Sequence, residues 1–122
     1  MRILLAEDDA NIVKIAKIVL EKVGRHHVHV CMDGGSALQT ALNEDFDLLI
    51  LDGMMPVMPG VEVCRQYGLK KQGKKAAVIF LSAKSTQEDI NEFRELGCGY
   101  IQKPFEPQNL CSLIENILRQ AA

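Results

Sequence analysis

The chain has 122 residues and a formal net charge of −2, with 48% hydrophobic and 25% charged residues. This length is typical of one compact domain, and we expect a single domain over residues 1–122. The composition excludes a disordered, collagen-like or coiled-coil chain, and no apolar run is long enough to cross a bilayer. The near-neutral charge and the lack of a signal peptide predict a cytoplasmic protein that binds neither nucleic acid nor membrane directly.

Short strand-like runs alternate with longer segments of helical periodicity, which is typical of a parallel α/β sheet. The predicted strands are residues 2–6, 27–31, 48–52, 76–81 and 100–102. The first helix carries an apolar stripe from Ile12 to Val23 and ends at Gly24, and the last has Pro107 in its first turn. Residues 85–88 resemble a capping box that opens the fourth helix, whose thin apolar face predicts a loosely held element.

The texture of the strands predicts their order in the sheet. Residues 48–51 and 76–81 are continuously apolar, as expected of central strands covered on both faces, whereas 27–30 alternate and 100–102 are mixed, as expected at the edges. The order 2-1-3-4-5 satisfies this pattern with right-handed crossovers. It is the order of a doubly wound (βα)5, flavodoxin-like fold, in which ligands bind beyond the carboxyl ends of the strands.

Polar residues converge at that end of the predicted sheet. Glu7, Asp8 and Asp9 follow strand 1, Asp52 ends strand 3, and the next two strands end at Ser82 and Lys103.

Three close carboxylates repel one another, and a hard divalent cation is the usual remedy. We predict Mg²⁺, with Mn²⁺ as a substitute, bound directly by Asp8 and Asp52, by the backbone carbonyl of Met54, and through water by Glu7. Asp9 is predicted to cap the first helix instead.

The same residues suit the acceptance of a phosphoryl group, which needs positioning and charge neutralisation more than covalent help. Asp52 is the predicted nucleophile, forming an acyl phosphate. Lys103 is predicted to pair with one phosphoryl oxygen and Ser82 to bond another, with backbone N–H groups of Gly53 and Ala83 as further donors.

At this point the sequence resembles a known family. Four segments, ILLAEDD (3–9), LDGMMPVMPG (51–60), LSA (81–83) and GYIQKPF (99–105), are similar to the receiver domains of bacterial two-component response regulators, including the chemotaxis-regulator type. The resemblance implies that Asp52 is the phosphoacceptor and that Glu7 and Asp8 are the acidic pair. It also implies that Lys103 is the essential lysine, with Ser82 and Tyr100 as the switch residues.

The resemblance further implies a mechanism. A sensor histidine kinase or a histidine phosphotransfer protein supplies the phosphoryl group, and the chain acts as a signalling switch that catalyses only its own phosphorylation and dephosphorylation. Ser82 and Tyr100 then change the surface formed by helix 4, strand 5 and helix 5. The Lys103–Pro104 bond is expected to be cis. The downstream protein or fused output domain stays unspecified.

Several alternatives stay open. The chain could act only as a binding module, although no site residue is lost. A flavin carrier would need a hydroxyl-rich loop after strand 1, and an aspartyl phosphohydrolase would need a second acid where Met54 lies. Tyr100 could be an ordinary edge-strand aromatic, and Lys84 either contacts the phosphoryl group or is solvated. For other residues we expect purely structural roles. These are a solvated loop containing residues 70–75, methionines at 54, 55 and 58 that fill gaps in the packing, and four free cysteines.

Overall fold

The computed structural model describes residues 1–84 and 86–121. They form a five-stranded parallel sheet with helices on both faces. The strands are β1 (Arg2–Ala6), β2 (His27–Cys31), β3 (Leu48–Asp52), β4 (Ala77–Ser82) and β5 (Gly99–Gln102). The helices are α1 (Ala10–Ile18), α2 (Gly34–Asn43), α3 (Gly60–Lys70), α4 (Gln87–Leu96) and α5 (Leu110–Ala121).

The strand order is β2-β1-β3-β4-β5, so the predicted fold class is confirmed. The first three strands have the predicted bounds, and β2 and β5 are the edges. β4 begins one residue later than predicted and includes Ser82, which pairs in register with Gln102 of β5. β5 begins one residue earlier, at Gly99.

The core forms two layers, because successive side chains of a strand point to opposite faces of the sheet. One layer packs α2, α3 and α4 against residues such as Leu4, Leu49 and Phe80. The other packs α1 and α5 against residues such as Ile3, Ile50 and Leu81. Every residue of β3 is buried, as its continuous apolar texture predicts.

Two helices depart from the predicted pattern at their ends. α1 continues into a π-helical turn, Val19–Val23, before the chain bends at Gly24. α4 is capped by Thr86, whose hydroxyl accepts the Asp89 N–H, so the predicted capping box is wrong by one residue. Ser85, the predicted first residue of that box, lies outside the described residues. The thin apolar face of α4 is confirmed, since Phe93 is its only buried residue, and the loose hold inferred from it stays a prediction.

The lysine-rich segment after α3 is not simply a solvated loop. The Lys71 side chain is only 4% exposed, and its ammonium lies 3.1 Å from the Ala41 carbonyl oxygen and 3.0 Å from that of Glu44. It therefore caps the C-terminal end of α2, where backbone carbonyls lack helical partners. Lys75 similarly donates to the Gly68 carbonyl of α3.

The smaller expectations have mixed outcomes. All four cysteines are free, as predicted. Met55 and Met58 pack against the core, but Met54 is 62% exposed and is not a gap filler. Among the described residues, no helix is both long enough and apolar enough to cross a membrane.

Candidate functional site

The carboxyl ends of four strands bring the predicted site residues to one edge of the sheet. Asp52 and Ser82 are the last residues of β3 and β4, and Glu7 and Lys103 directly follow β1 and β5. Backbone hydrogen bonds fix these ends: the Glu7 N–H donates to the Cys31 carbonyl at 3.0 Å, and the Lys103 N–H to that of Ser82 at 2.9 Å. The parallel sheet therefore places these side chains together.

Glu7, Asp8 and Asp52 form a cluster that could hold one metal ion, with one oxygen from each lying within 4.8 Å of the others. Glu7 and Asp52 are buried, whereas Asp8 is exposed. Glu7 Oε1 is buried, and its partner is the Lys103 ammonium at 2.6 Å. An all-oxygen set with an open side fits Mg²⁺, which keeps several of its water ligands.

Lys103 is the cation already present in this cluster. Its ammonium lies 2.6 Å from Glu7 Oε1 and 3.3 Å from Asp52 Oδ1. Burial lowers the pKa of Lys103, but the contacts with Glu7 and Asp52 outweigh this, so its pKa lies above the usual value. The side chain therefore stays charged and offsets part of the carboxylate repulsion.

Asp52 is the carboxylate with the most perturbed acidity. Burial raises its pKa to about 7, and the negative charge of Glu7 adds to this, while the Met54 N–H and Lys103 pull the other way. The Met54 N–H lies 3.2 Å from Asp52 Oδ1 and orients the carboxylate. At neutral pH the Asp52 carboxyl is therefore present in both its protonated and its charged form, and a bound cation would favour the charged form.

Ser82 and Gly53 are in close contact beside Asp52. Ser82 is fully buried, and its Oγ accepts the Lys84 N–H at 3.1 Å. A Cβ at position 53 would lie 2.8 Å from Ser82 Oγ, so only glycine fits there without displacing the hydroxyl. The Gly53 N–H donates to the Leu81 carbonyl, which contradicts the prediction that it is free to bind a phosphoryl oxygen.

Tyr100 is half-buried on β5 and joins an aromatic stack. Its hydroxyl donates to the Lys84 carbonyl at 2.7 Å, and its ring stacks on Phe93 at 5.3 Å, which in turn stacks on Phe80 at 4.8 Å. Lys84 thus binds Ser82 through its N–H and Tyr100 through its carbonyl. The Lys84 side chain is exposed and lines an open cleft with Asp8 and Met54.

The sequence prediction located most of this arrangement. Asp9 caps α1 by accepting the N–H groups of Asn11 and Ile12, as predicted, and the Lys103–Pro104 bond is cis. Sequence reasoning missed Phe93, treating it only as a core residue. The structure places the edge of its ring beside Gly53, where a Cβ would lie 3.2 Å from Phe93 Cζ. No local sequence pattern marks a contact between residues 40 positions apart.

The family comparison agrees with the fold: residues 3–115 match the response regulator receiver domain. The chain belongs to this family, whose members are receiver domains of two-component response regulators and act as signalling switches.

Similar proteins are found both among curated sequences and among solved structures. The chain is 36% identical over 121 residues to the alkaline phosphatase synthesis transcriptional regulatory protein PhoP of Bacillus subtilis, covering 98% of this chain and 49% of PhoP. It is 36% identical over 118 residues to the probable transcriptional regulator ycf29 of Pyropia yezoensis, covering 96% and 53%. The chain thus spans about half the length of these curated relatives.

Among solved structures, a CheY-like receiver domain from Methanospirillum hungatei has a TM-score of 0.84 and 28% identity, covering 98% of this chain and 94% of that chain. The BeF3-activated receiver domain of DrrB has a TM-score of 0.81 and 28% identity, covering 97% of both chains.

Proposed function

We propose that Asp52 accepts a phosphoryl group in a reaction that depends on Mg²⁺ and that this switches the surface of α4, β5 and α5. The observation that carries the proposal is the position of Asp52: a buried carboxylate at the end of β3, grouped with Glu7 and Asp8 and contacted by the Lys103 ammonium. Family membership supports the same conclusion.

The step is an attack by a carboxylate oxygen of Asp52 on phosphorus. A P–O bond forms, and the bond from phosphorus to the donor breaks. With a phosphohistidine donor the leaving group is the imidazole, and with acetyl phosphate it is acetate. Lys103 neutralises the charge gathering on a phosphoryl oxygen, and the Ser82 hydroxyl donates to another.

Glu7, Asp8 and Asp52, with the backbone carbonyl of Met54, are the residues that would hold the metal, Glu7 through a water molecule. Mg²⁺, or Mn²⁺ in its place, supplies positive charge that offsets the repulsion between the carboxylates and the incoming phosphate. The grouping of one oxygen from each of Glu7, Asp8 and Asp52 within 4.8 Å supports this donor set.

Ser82 and Tyr100 are the proposed switch residues because one peptide segment binds both. When the Ser82 hydroxyl turns toward the phosphoryl group, it releases the Lys84 N–H, and the carbonyl that holds Tyr100 belongs to the same residue. The change at Asp52 thereby reaches β5 and α4.

The proposed donor is a sensor histidine kinase or a histidine phosphotransfer protein. The curated relatives include transcriptional regulators, so the proposed output is a downstream protein or a fused domain rather than direct nucleic-acid binding by these residues. We propose that the whole of residues 1–122 acts as this one domain, in the cytoplasm.

Intact mass after incubation with acetyl phosphate and Mg²⁺ tests the proposal. We expect a gain of one phosphoryl group in the wild type, no gain in Asp52→Asn or with a chelator, and a retained gain in Asp33→Asn. Asp33 is a matched control because it is a partly exposed aspartate that caps α2 and is not part of the acidic cluster. A wild-type chain that gains no mass, and that beryllofluoride also leaves unperturbed, would overturn the proposal in favour of a constitutive binding module.

A further inference from the structure

We propose that Phe93 is a positioning residue that couples the state of Asp52 to α4, through simultaneous contact with Gly53 and Tyr100. This inference rests on the proposed function and adds a residue to it. It concerns how the signal leaves the site, not how the phosphoryl group is accepted.

The first argument is how α4 is attached to the sheet. Phe93 is the only buried side chain of the helix. The C-terminal end of α4 is fixed directly to β4, because the Cys98 N–H donates to the Val78 carbonyl at 2.7 Å and a Cβ at Gly97 would lie 2.8 Å from that oxygen. The remaining turns of α4 therefore depend on one ring for their apolar contact with the core.

Apart from Phe93, α4 has a partly buried Leu96 in its last turn and polar contacts at its border with α3. Arg65 forms an ion pair with Glu92 at 3.3 Å, with both side chains more than 40% exposed. The Cys64 thiol lies 3.3 Å from the Leu96 carbonyl oxygen. Exposed ion pairs contribute little to stability, so they do not fix the helix against a shift of the ring.

The second argument is what the ring touches. Phe93 stacks between Phe80 and Tyr100, with interplanar angles of 28° and 19°. Its edge faces Gly53, which adjoins Asp52 in sequence. One rigid side chain thus contacts both the backbone beside the phosphoacceptor and the aromatic switch residue.

A shift of Gly53 or of Tyr100 therefore changes how α4 packs on the sheet. Displacement of Tyr100 removes one face of the stack, and displacement of Gly53 changes the surface under the ring edge. Because packed side chains transmit strain, the Phe93 ring moves with the displaced neighbour. α4 has no second buried side chain that would hold the helix in place against this movement. A smaller side chain leaves space that absorbs the shift.

The test is Phe93→Leu, measured by hydrogen exchange of the α4 amides with and without beryllofluoride and Mg²⁺. In the wild type we expect the ligand to change α4 exchange by roughly five- to tenfold, at the lower end of the usual coupling between sites. In Phe93→Leu we expect this change to fall to less than half, while phosphoryl incorporation from acetyl phosphate is retained. A merely structural role would speed exchange in both states and leave their ratio unchanged.

Phe46→Leu is the matched control, because Phe46 is buried in the same core layer but its aromatic contacts are with Arg2 and His29. It should keep the full ligand-induced change. Thermal unfolding checks that Phe93→Leu folds, and Phe93→Met, whose unbranched side chain adapts better to the space left by the ring, serves if it does not.

An unchanged ratio in both Phe93 variants, or an equal loss in Phe46→Leu, overturns the coupling role of Phe93. A wild-type chain that accepts no phosphoryl group overturns the proposed function and this inference together. The mass measurement distinguishes that outcome from a failure of the coupling role alone, in which the wild type still gains the phosphoryl group.

Discussion

The charges at the carboxyl edge of the sheet are only partly balanced by the chain itself. Lys103 contacts two of the three clustered carboxylates, and Asp8 stays exposed. One ammonium against three acids leaves an excess of negative charge in a buried place, which raises the free energy of the folded state. We therefore expect the clustered carboxylates to lower the stability of the folded chain, although they are the groups that give the site its chemistry.

Asp52 should show this trade as a pH-dependent stability. Its pKa of about 7 in the folded chain exceeds the ordinary value of 3.8, chiefly because the group is buried. The folded state therefore binds more protons than the unfolded chain between these values, and the stability of the metal-free protein should fall as pH rises toward 7 and stay low above it. Asp52→Asn removes this cost and should be more stable than the wild type by roughly 2 kcal/mol at about pH 8.

Urea denaturation in the presence of a chelator measures the effect. The advantage of Asp52→Asn should shrink at about pH 5, where the wild-type carboxyl is largely protonated in the folded state. An advantage that is the same at both pH values would show that burial of the charge is not its cause.

Val57 is strained in the loop between β3 and α3. Its φ is 73°, in the left-handed region, and the Met58 N–H donates across it to the Pro56 carbonyl at 2.8 Å. A β-branched residue rarely adopts this conformation. Since Val57 is 81% exposed, Val57→Asn should stabilise the chain by about 1 kcal/mol in urea denaturation.

Val57→Ala is the control for this prediction, because alanine keeps the strained backbone and removes only the exposed side chain. We expect its stability to stay within about 0.5 kcal/mol of the wild type. If asparagine stabilises no more than alanine, the backbone of Val57 is not strained.

Site residues at strand ends could be predicted because a parallel sheet brings those ends together. Asp52, Glu7 and Lys103 needed only the strand order. The approach of Phe93 to Gly53 could not be predicted, because it depends on how α4 packs on the sheet beside β4 and β5 rather than on strand order. The occupied Gly53 N–H was missed for a similar reason, since its acceptor is on the neighbouring strand.

Among the helices, α2 and α3 are joined by an interaction that the sequence did not reveal. The buried Lys71 ammonium follows α3 and binds the last carbonyls of α2. Lys71→Met keeps much of the apolar stem but leaves those carbonyls unpaired. We expect a loss of about 2–3 kcal/mol in urea denaturation, together with faster hydrogen exchange at the end of α2.

Lys74→Met is the matched control, because Lys74 is an exposed lysine of the same segment. Its stability should change by less than about 0.5 kcal/mol. Equal effects of the two substitutions would contradict the capping role of Lys71.

Element bounds were predictable where the local signal is strong. The continuous apolar texture of β3 and the alternation of β2 gave correct bounds and positions in the sheet. The start of α4 was missed by one residue because Ser85 and Thr86 are both good N-cap residues, and only the observed bond from Asp89 N–H selects Thr86. Lys71 was misread because composition cannot show which lysines of a cluster meet a helix end.

In the molecule as a whole, the five helices differ in how many residues they bury against the sheet. α1 with its π-helical turn and α5 have two buried residues each, and α2 and α3 have four each, one of which is a glycine. α4 contributes one. Local stability follows such buried contacts, so binding at the carboxyl edge should alter α4 more than the rest of the domain.

Metal binding should also raise the stability of the whole domain. A ligand that binds only the folded state stabilises it by RT ln(1 + [L]/Kd), which is about 2.7 kcal/mol at a hundredfold excess over Kd. Mg²⁺ should raise the unfolding midpoint of the wild type. Below pH 7 the apparent Kd should rise about tenfold per pH unit, because protons compete for Asp52 with its pKa of about 7.

Substitutions at two adjacent residues distinguish Mg²⁺ binding by specific carboxylates from a response of Mg²⁺ to the net charge of this edge. Asp8→Asn removes an exposed member of the acidic cluster and should abolish most of the Mg²⁺-induced rise in midpoint. Asp9→Asn makes the same chemical change one residue later, where the side chain accepts N–H groups of α1, and asparagine caps helices as well as aspartate does. It should keep most of the rise. Equal losses in both variants would mean that Mg²⁺ responds to the net charge of this edge and not to the oxygen cluster of Glu7, Asp8 and Asp52.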